Sequence, residues 1–438
     1  MPETIMAERL SDPDRAKEAR RVVWSSYLGS TLEYYDFLLY GTAAALVFGP
    51  VFFADLSPTA GTIASLGTFA AGYLSRPFGG ILFGHFGDRV GRKSMLLLAM
   101  TLMGVASILI GLIPSPALIG SWAAVILIFL RVLQGIAVGG EWGGAALMAL
   151  EHADPKQRGF MAAFANAGAP TGAVLGTLVM MLFSRLPDDQ FLSWGWRVPF
   201  LISAVMLVVG LFVRARVSES PLFQAAAAAE QAQRRDRIPL LAVLRQPKPV
   251  VTAALACIAG FGLQTAFTTF GIGYAVRHGM PKPDVLTAFA IGQFCAIFFI
   301  LGFARLSDRV GRRPVMLFGF AATIVGVFPL FWLLTLGSFA AVAIGFTLYT
   351  FCHAASYGPM AAYISEQFGT RNRYTGASLG YQLGTLLGGG FTPMILAALA
   401  SAFSGSILPA GLYLIALAIV STVTVLLSKE TKDNDLAH

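Results

Sequence analysis

The chain has 438 residues, of which 56% are hydrophobic and only 12% are charged, and its mean hydropathy is +0.70. Soluble domains carry about 25% charged residues, so this composition excludes a soluble globular protein and predicts a protein of the lipid bilayer. The net charge of +8 is explained by membrane topology and by contact with anionic lipid, and we expect no nucleic-acid partner.

Twelve apolar runs separate the charged residues, and each is near or above the length of about 20 residues that a helix needs to cross a bilayer. In chain order the predicted spans are Val22 to Phe48, Gly61 to Gly84, Ser94 to Ile113, Ile119 to Leu150, Gly159 to Ser184, Val198 to Val213, Val250 to Val276, Val285 to Ala304, Pro314 to Leu336, Phe339 to Ser365, Tyr374 to Ala402 and Ile407 to Leu427. Because backbone groups in lipid must be satisfied within each segment, we expect an all-α membrane protein with twelve transmembrane helices.

A near repeat half a chain apart predicts an internal duplication. The two segments are Gly87-Asp-Arg-Val-Gly-Arg-Lys93 and Ser307-Asp-Arg-Val-Gly-Arg-Arg313, which differ only at their first and last residues. We therefore expect two pseudo-symmetric six-helix bundles. The expected domains are a tail at 1–21, a first bundle at 22–213, a cytoplasmic connector at 214–248, a second bundle at 249–428 and a tail at 429–438.

Lys and Arg residues set the expected orientation. Most of the 31 fall in the loops and tails on the side that holds both chain ends. The opposite loops hold Arg185, Arg197, Arg277 and Lys282. Because cytoplasmic loops are enriched in Lys and Arg, we expect both termini in the cytoplasm.

The two repeated segments are expected to form tight basic turns at the cytoplasmic face, where Glu151 and Glu366 close the fourth span of each half. An ion-pair cluster there can hold the helices together in one state and separate in another. The alternative is that the basic residues only anchor the protein at the membrane surface. The candidate gating residues are Asp88, Arg89, Arg92, Glu151, Arg158, Asp308, Arg309, Arg312, Glu366 and Arg373.

Three further phrases stand out in the first half: Gly29-Ser-Thr-Leu-Glu-Tyr-Tyr-Asp-Phe-Leu-Leu-Tyr-Gly41, Ser75-Arg-Pro-Phe-Gly-Gly80 and Gly139-Gly-Glu-Trp-Gly-Gly144. With the repeated turns, they resemble the major facilitator superfamily and, within it, a bacterial metabolite:proton symporter branch. Two more phrases resemble the shikimate-transporter-like members of that branch: Phe191-Leu-Ser-Trp-Gly-Trp-Arg-Val-Pro-Phe200 and Arg373-Tyr-Thr-Gly-Ala-Ser-Leu-Gly-Tyr-Gln382. The resemblance implies two six-helix bundles that rock about a site near the membrane midplane.

Ionisable groups inside a span cost about 2.5 to 3.5 kcal/mol on insertion scales, so each marks a function or a partner. Glu33 and Asp36 share one face of the first span, and Arg131 lies in the fourth. We expect Asp36 and Arg131 to form the proton-coupling pair, because Arg stays charged and favours the ionised acid until the two separate. The two positions also resemble the first-span Asp and fourth-span Arg of sugar:proton relatives. A static ion pair is the alternative, and Glu33 and Glu141 are alternative proton carriers.

A carboxylate cargo requires a buried cation, and Arg76 lies at midplane depth with a planar fork that can bind both carboxylate oxygens. The alternative is a structural kink in which Arg76 pairs with Glu33 or Asp36. His353 lies deep in a span, where it either serves the cargo or a proton or packs as a satisfied core residue. The other candidate substrate-binding residues are Tyr34, Tyr35, Trp142, Asn166, Gln264, Tyr357, Tyr381 and Gln382.

These residues and the resemblance predict a monomeric proton-coupled symporter in the bacterial inner membrane that imports a small organic acid or a zwitterion bearing a carboxylate. The alternatives are a proton-driven efflux carrier for a drug or organic acid and a symporter of betaine or proline type. The sequence has no selectivity-filter loop and no nucleophile constellation, so a channel or an enzyme is not expected. Cys257, Cys295 and Cys352 fall inside predicted spans, and we expect no metal or cofactor. Protons and membrane lipid are the expected partners besides the substrate.

Overall fold

The computed structural model of the protein describes residues 12–90, 92–139, 150, 157–215, 247–368 and 373–432. Within these ranges the side chains at 12–22, 25, 84–90, 92–94, 96, 213–215 and 373–374 are outside the description. The predicted connector at 214–248 therefore lies almost wholly outside the described residues, as do residues 1–11 and 433–438.

Twelve long helices follow one another in the described part of the chain. They are α1 (Asp12–Leu46), α2 (Pro58–Val90), α3 (Arg92–Gly111), α4 (Trp122–Gly139), α5 (Arg158–Phe183), α6 (Arg197–Ala215), α7 (Pro247–Arg277), α8 (Lys282–Val310), α9 (Arg312–Leu333), α10 (Phe339–Ser365), α11 (Arg373–Gly384 with Thr392–Ala402) and α12 (Leu408–Leu427). Short helices lie between them at Phe48–Phe52, Pro116–Ile119 and Asp188–Gln190. This order confirms the predicted all-α fold.

Nine of the helices within the described ranges, α4 to α12, are long and apolar enough to cross a membrane. The remaining three are α1, α2 and α3. Of these, α1 carries Glu33 and Asp36 among its buried residues and α2 carries Arg76, and these charged groups lower the mean hydropathy of the two helices.

Three interruptions shape the second half. A π-helical segment at Ala266–Gly271 lies within α7, and another at Thr385–Gly390 joins the two parts of α11. In α10 the helix breaks after Tyr357 and resumes at Met360, because Pro359 has no backbone N–H to continue the ladder of hydrogen bonds. Such irregular backbone is tolerated at membrane depth only where other protein or a cavity faces it, and π-helical turns are frequent at functional sites.

The helix contacts reproduce the internal duplication. In the first half α1 packs along α5, α2 along α4 and α3 along α6. In the second half α7 packs along α11, α8 along α10 and α9 along α12, so every pair recurs six helices later. Between the halves α5 lies along α8, and α2 contacts α11.

Glycines allow α2 and α4 to approach backbone to backbone. A Cβ atom on Gly135 of α4 would lie 2.0 Å from the carbonyl oxygen of Gly72 on α2. A Cβ atom on Gly72 would lie 2.4 Å from Nε of Arg131. Both distances are far below van der Waals contact, so glycine at these two positions lets α2 and α4 pack closely and leaves room for the Arg131 side chain against Gly72.

Candidate functional site

The side chain of Asp36 lies inside the first half, in a space between three helices. Ser203 on α6 donates a hydrogen bond to Oδ1 of Asp36, and the hydroxyl of Ser107 on α3 lies next to the same carboxyl group. Asp36 is 3% exposed, so a carboxyl group within a membrane span is held entirely by protein groups. Such a group marks a functional site or an obligatory partner.

Arg131 is fully buried nearby, and its guanidinium packs against aromatic rings. Its Cζ lies 4.1 Å from the ring centroid of Phe37 and 4.1 Å from that of Tyr40. Its Nη1 donates to Oε1 of Gln134 at 3.0 Å, whereas Nε and Nη2 have no hydrogen-bond partner. Rings of this kind attract a cation through their negative faces.

Asp36 and Arg131 do not form the direct ion pair that the sequence predicts. Among the described residues, the partners of the Asp36 side chain are Ser203 and Ser107. Gln134 bridges the gap, because its Nε2 donates to Oγ of Ser107 at 2.7 Å while its Oε1 accepts from Arg131. The rotation of α1 directs Asp36 toward α3 and α6. Two neutral side chains, Gln134 and Ser107, therefore lie between the two charged groups.

Arg76 is the second buried cation of the first half. It is 2% exposed, and its Cζ lies 4.1 Å from the ring of Phe37 and 4.3 Å from that of Tyr73. Its Nε and Nη2 are buried without a hydrogen-bond partner. The predicted alternative, an ion pair of Arg76 with Glu33 or Asp36, is absent from the side chains described. Phe37 therefore contacts two guanidinium groups, and both retain unused N–H donors.

A cluster of tyrosines joins the two halves close to Arg76. The hydroxyl groups of Tyr34 on α1 and Tyr381 on α11 lie 3.2 Å apart, and the hydroxyl of Tyr357 on α10 lies close to both but has no hydrogen-bond partner among the described residues. Arg76 and Glu33 are near enough to act electrostatically on Tyr34. These contacts place hydroxyl groups, a cation and a carboxylate from both halves around one point.

Other predicted substrate residues occupy several environments. Asn166 donates to the carbonyl oxygen of Tyr357 at 2.9 Å and leaves its own Oδ1 without a partner. Gln382 donates to the carbonyl oxygen of Gly139 at 3.2 Å. Both therefore connect the two halves of the protein.

Three further candidates lie around that cluster. The imidazole of His353 stacks on the ring of Tyr357 at 4.8 Å, and its Nε2 has no partner. Gln264 is buried in α7 just before the π-helical segment. Tyr35, in contrast, donates to the carbonyl oxygen of Pro199 at 2.9 Å, so its hydroxyl is used in packing α1 against α6.

The second repeated turn forms an ion-pair cluster. Arg312 donates to Oδ1 of Asp308 at 2.7 Å and to Oε1 of Glu366 at 3.0 Å. Asp308 also accepts the backbone N–H groups of Gly159 and Phe160, at 2.8 and 2.9 Å, in the first turn of α5. A carboxylate at the N-terminus of a helix satisfies orphan N–H groups and complements the helix dipole. The cluster therefore links the second half to the first.

A segment after α12, Ser428 to Lys432, completes this cluster, although no motif in the sequence points to it. Glu430 accepts the backbone N–H groups of Arg312 and Arg313 at 2.8 and 3.0 Å. Burial acts to raise the pKa of Glu430, but hydrogen bonds from four backbone N–H groups outweigh it and hold the pKa below its ordinary value. Gly311, with φ of +106°, allows this tight approach, since a Cβ there would lie 2.7 Å from Oε2 of Glu430.

Two more predicted gating residues lie in this region. The backbone carbonyl of Arg309 accepts Nζ of Lys432 at 2.8 Å. Arg158 begins α5 beside Gly159. The remaining candidates are outside the description: Glu141, Trp142 and Glu151 lie outside the described residues, and the side chains of Asp88, Arg89, Arg92 and Arg373 do also.

At the opposite end of the helices, Lys282 at the start of α8 pairs with Asp188 of the segment before α6, at 2.6 Å. The halves are thus in contact at the Asp308 end, at the tyrosine cluster and at the Lys282 end.

Sequence reasoning missed Phe37, Tyr73, Ser107, Gln134 and Ser203. Gln134 carries a usable signal, because it lies three residues after Arg131 on the same helix face. The two serines are single small polar residues in apolar runs, which resemble ordinary packing residues. The described residues contain no group of three or more His, Cys, Asp and Glu side chains that could hold a metal ion, and all three cysteines are free.

Comparisons with known proteins agree with this architecture. A model described as the Major Facilitator Superfamily matches residues 27–393, with a second match at 285–436. The shikimate transporter of Escherichia coli (strain K12) is 39% identical over 99% of this chain and 100% of its own length. The proline/betaine transporter of Salmonella typhimurium (strain LT2) is 31% identical over 95% of this chain and 85% of its own.

Among solved structures, a D-xylose-proton symporter superposes with a TM-score of 0.74 at 18% identity, covering 95% of this chain and 99% of that one. The inward open conformation of the xylose transporter XylE from E. coli gives 0.70 at 18% identity, covering 95% and 98%. Identity this low supports the fold alone. The relatives are transporters and not enzymes, and this chain belongs to the Major Facilitator Superfamily as a multi-pass membrane transporter with twelve transmembrane helices.

Proposed function

We propose that the protein is a proton-coupled symporter that imports a small metabolite bearing a carboxylate. The observation that carries the proposal is Arg76, a buried guanidinium with two unused N–H groups beside a tyrosine cluster to which both halves contribute. Buried charges are normally paired, so the guanidinium is suited to an anion that arrives from outside the protein.

The surrounding groups restrict what kind of anion fits. Arg76 supplies two N–H donors that match both oxygens of a carboxylate. Tyr34, Tyr357 and Tyr381 supply hydroxyl groups, which serve as donors or acceptors for a hydroxyl or a second polar group on the cargo. The rings of Phe37 and Tyr73 offer an apolar wall. A small hydroxylated or cyclic carboxylate satisfies all three features, which agrees with the name of the shikimate transporter relative.

The proton is carried by Asp36 in this proposal, with Arg131 as its charged neighbour. A carboxyl group with only serine partners inside a membrane protein is suited to exist in either protonation state. Glu33, which lies next to the tyrosine cluster, remains the second candidate.

Alternating access follows from the connections between the halves. The Asp308, Arg312 and Glu366 cluster closes one end against α5, and the Asp188 and Lys282 pair closes the other. We assign the Asp308 end to the cytoplasm, because the basic turn follows the positive-inside pattern, and both termini to the same side. The bundles, 22–213 and 249–428, then rock about the tyrosine cluster, and the protein functions as a monomer in the bacterial inner membrane.

The test uses purified protein in proteoliposomes with labelled shikimate, proline and glycine betaine as probes. Acid outside and neutral pH inside should drive accumulation of shikimate above the external concentration. Accumulation only of proline or glycine betaine would transfer the protein to the compatible-solute class. Extrusion of preloaded probe under the same gradient, without uptake of any of the three, would reject import in favour of efflux.

A further inference from the structure

A chain of buried polar side chains connects Arg131 with Asp36. Arg131 Nη1 donates to Gln134 Oε1 at 3.0 Å, and Gln134 Nε2 donates to Ser107 Oγ at 2.7 Å. The hydroxyl group of Ser107 in turn lies next to the carboxyl group of Asp36. All four side chains are buried, and they belong to α4, α3 and α1. The chain thus crosses three helices without contact with solvent.

The chemistry of its ends gives the chain a direction. A guanidinium only donates hydrogen bonds, and an ionised carboxylate only accepts them. Gln134 accepts on the Arg131 side and donates on the Ser107 side, which leaves the Ser107 hydroxyl proton free to donate to Asp36. Every donor therefore points toward the ionised acid, and each donor in the chain faces an acceptor.

Protonation of Asp36 reverses this arrangement. When the oxygen facing Ser107 gains a proton from solvent, it becomes a donor, and Ser107 must accept. The Ser107 hydroxyl then turns its own proton toward Gln134, and the amide of Gln134 rotates to accept it. Each bridging group keeps its own protons. The amide NH₂ now faces Arg131, which loses the acceptor of its Nη1 in addition to the acceptors that Nε and Nη2 already lack.

An unsatisfied buried guanidinium favours an anion strongly, because unpaired buried charge is costly. Arg131 shares the Phe37 ring with Arg76 and acts on it electrostatically. Protonation of Asp36 therefore removes the negative charge near this pair of cations and frees N–H donors in the same step.

We infer that Ser107 and Gln134 are positioning residues that transmit the protonation state of Asp36 to Arg131 and so raise the affinity for the anionic cargo. This inference rests on the proposed proton symport. Reciprocal linkage then requires the bound anion to favour the protonated form of Asp36 by the same factor. In this arrangement proton and cargo bind together, as symport demands.

Neutral hydroxyl groups surround the Asp36 carboxyl group on the helices packed against α1. Ser107 comes from α3 and Ser203 from α6, and Tyr35 on α1 is a titratable neighbour whose hydroxyl is held by Pro199. Among the described side chains, Arg76 on α2 and Arg131 on α4 form no ion pair with Asp36. Glu33 lies on the same helix and faces the tyrosine cluster. The serine contacts are therefore the direct route by which a change at Asp36 reaches its neighbours.

The experiment uses whichever of shikimate, proline and glycine betaine the wild-type protein accumulates. It measures the half-saturation constant for exchange of that probe at acid and at alkaline pH. Wild type should bind the probe more tightly at acid pH, by about 5- to 150-fold, the usual range of coupling between two sites. Ser107→Ala and Gln134→Leu each cut the chain at a different link, and each should bring this ratio close to one. Ser203→Ala is the matched control, since it removes a hydrogen bond to Asp36 that leads nowhere near Arg131, and it should keep the ratio.

The outcomes separate the two proposals. A wild-type ratio in both Ser107→Ala and Gln134→Leu overturns the relay while proton symport stands. An equal loss of the pH-dependent ratio in all three variants also overturns the relay, since any weakened contact of Asp36 would then be enough to remove the pH dependence. Ser107→Ala removes only one hydroxyl group and keeps the Arg131 to Gln134 bond, so it answers the question even where Gln134→Leu fails to fold. A wild-type protein that accumulates no probe contradicts the symport proposal itself, and the relay with it.

Discussion

Arg76 shows at the scale of one residue why burial without a partner is informative. Its guanidinium is 2% exposed, contacts the rings of Phe37 and Tyr73, and leaves Nε and Nη2 without acceptors. Cation contacts with two rings offset part of the desolvation penalty, yet they leave the directional N–H groups unused. A group in this condition gains most from a planar anion that arrives with two acceptors.

The first prediction concerns the geometry of that group. Arg76→Lys keeps the positive charge and removes the planar fork, so we expect the half-saturation constant of the transported carboxylate to rise by about 10- to 100-fold. Zero-gradient exchange in proteoliposomes measures it. Arg305→Lys makes the same chemical change at an exposed position of α8 and should leave the constant unchanged. Wild-type half-saturation in Arg76→Lys would reject the carboxylate contact.

Residue types in the first half could be predicted from the sequence, but their contacts could not. The cost of a charge in lipid directs attention to Asp36, Arg131 and Arg76 without any structure. Whether Asp36 meets Arg131 directly depends on the rotation of α1 against α3 and α6, which hydropathy does not determine. The hydrogen bond from Ser203, with Ser107 beside the same carboxyl group, decides that question.

At the scale of the helices, the packing of the first half depends on the close approach of α2 to α4. Gly72 and Gly135 let their backbones meet, and Gly72 leaves room for the Arg131 side chain. Membrane helices associate largely through such packing, because lipid offers no hydrophobic drive between them.

The second prediction follows from this contact. Gly135→Ala should lower the thermal unfolding temperature of the detergent-solubilised protein, because its Cβ would lie 2.0 Å from the Gly72 carbonyl oxygen and overpacking costs about 1 to 3 kcal/mol or more. Gly302→Ala in α8 is the matched control, since no atom lies within 4 Å of the added carbon. Equal unfolding temperatures for the two variants would show that α2 and α4 do not pack as described.

The segment Ser428 to Lys432 is an element that hydropathy alone treats as a tail. Glu430 binds the turn between α8 and α9, while Thr431 donates to Oε2 of Glu366 at 2.7 Å. Its role depends on contacts between residues 65 to 118 positions apart, for which composition gives no signal.

The third prediction uses the pKa of Glu430, which lies below its ordinary value of 4.5 in the folded protein. A carboxyl group with a lowered pKa contributes stability that is fully present above the ordinary value and is lost as pH falls through the folded value. Glu430→Gln should therefore lower the unfolding temperature at neutral pH and have little effect at pH well below 4.5. Asp189→Asn, at an exposed position, serves as the control. A deficit in Glu430→Gln that is the same at every pH would contradict the role of its charge.

At the scale of the whole molecule, the overall fold could be predicted from the sequence more fully than any other feature. Lipid requires long apolar helices, so hydropathy locates the spans, and the repeated turns at 87–93 and 307–313 expose the duplication that the helix pairings then display. The contacts between halves could not be predicted, because Tyr34 with Tyr381 and Asp308 with α5 depend on how two bundles dock. That docking brings tyrosines of both halves together beside Arg76.

The most direct test of the account is transport by Asp36→Asn in proteoliposomes, measured as uphill accumulation under an acid-outside gradient and as exchange of labelled cargo without a gradient. The account predicts that accumulation is lost while exchange persists, because a neutral amide cannot release or bind the coupled proton. Uphill accumulation at the wild-type level in Asp36→Asn would contradict it.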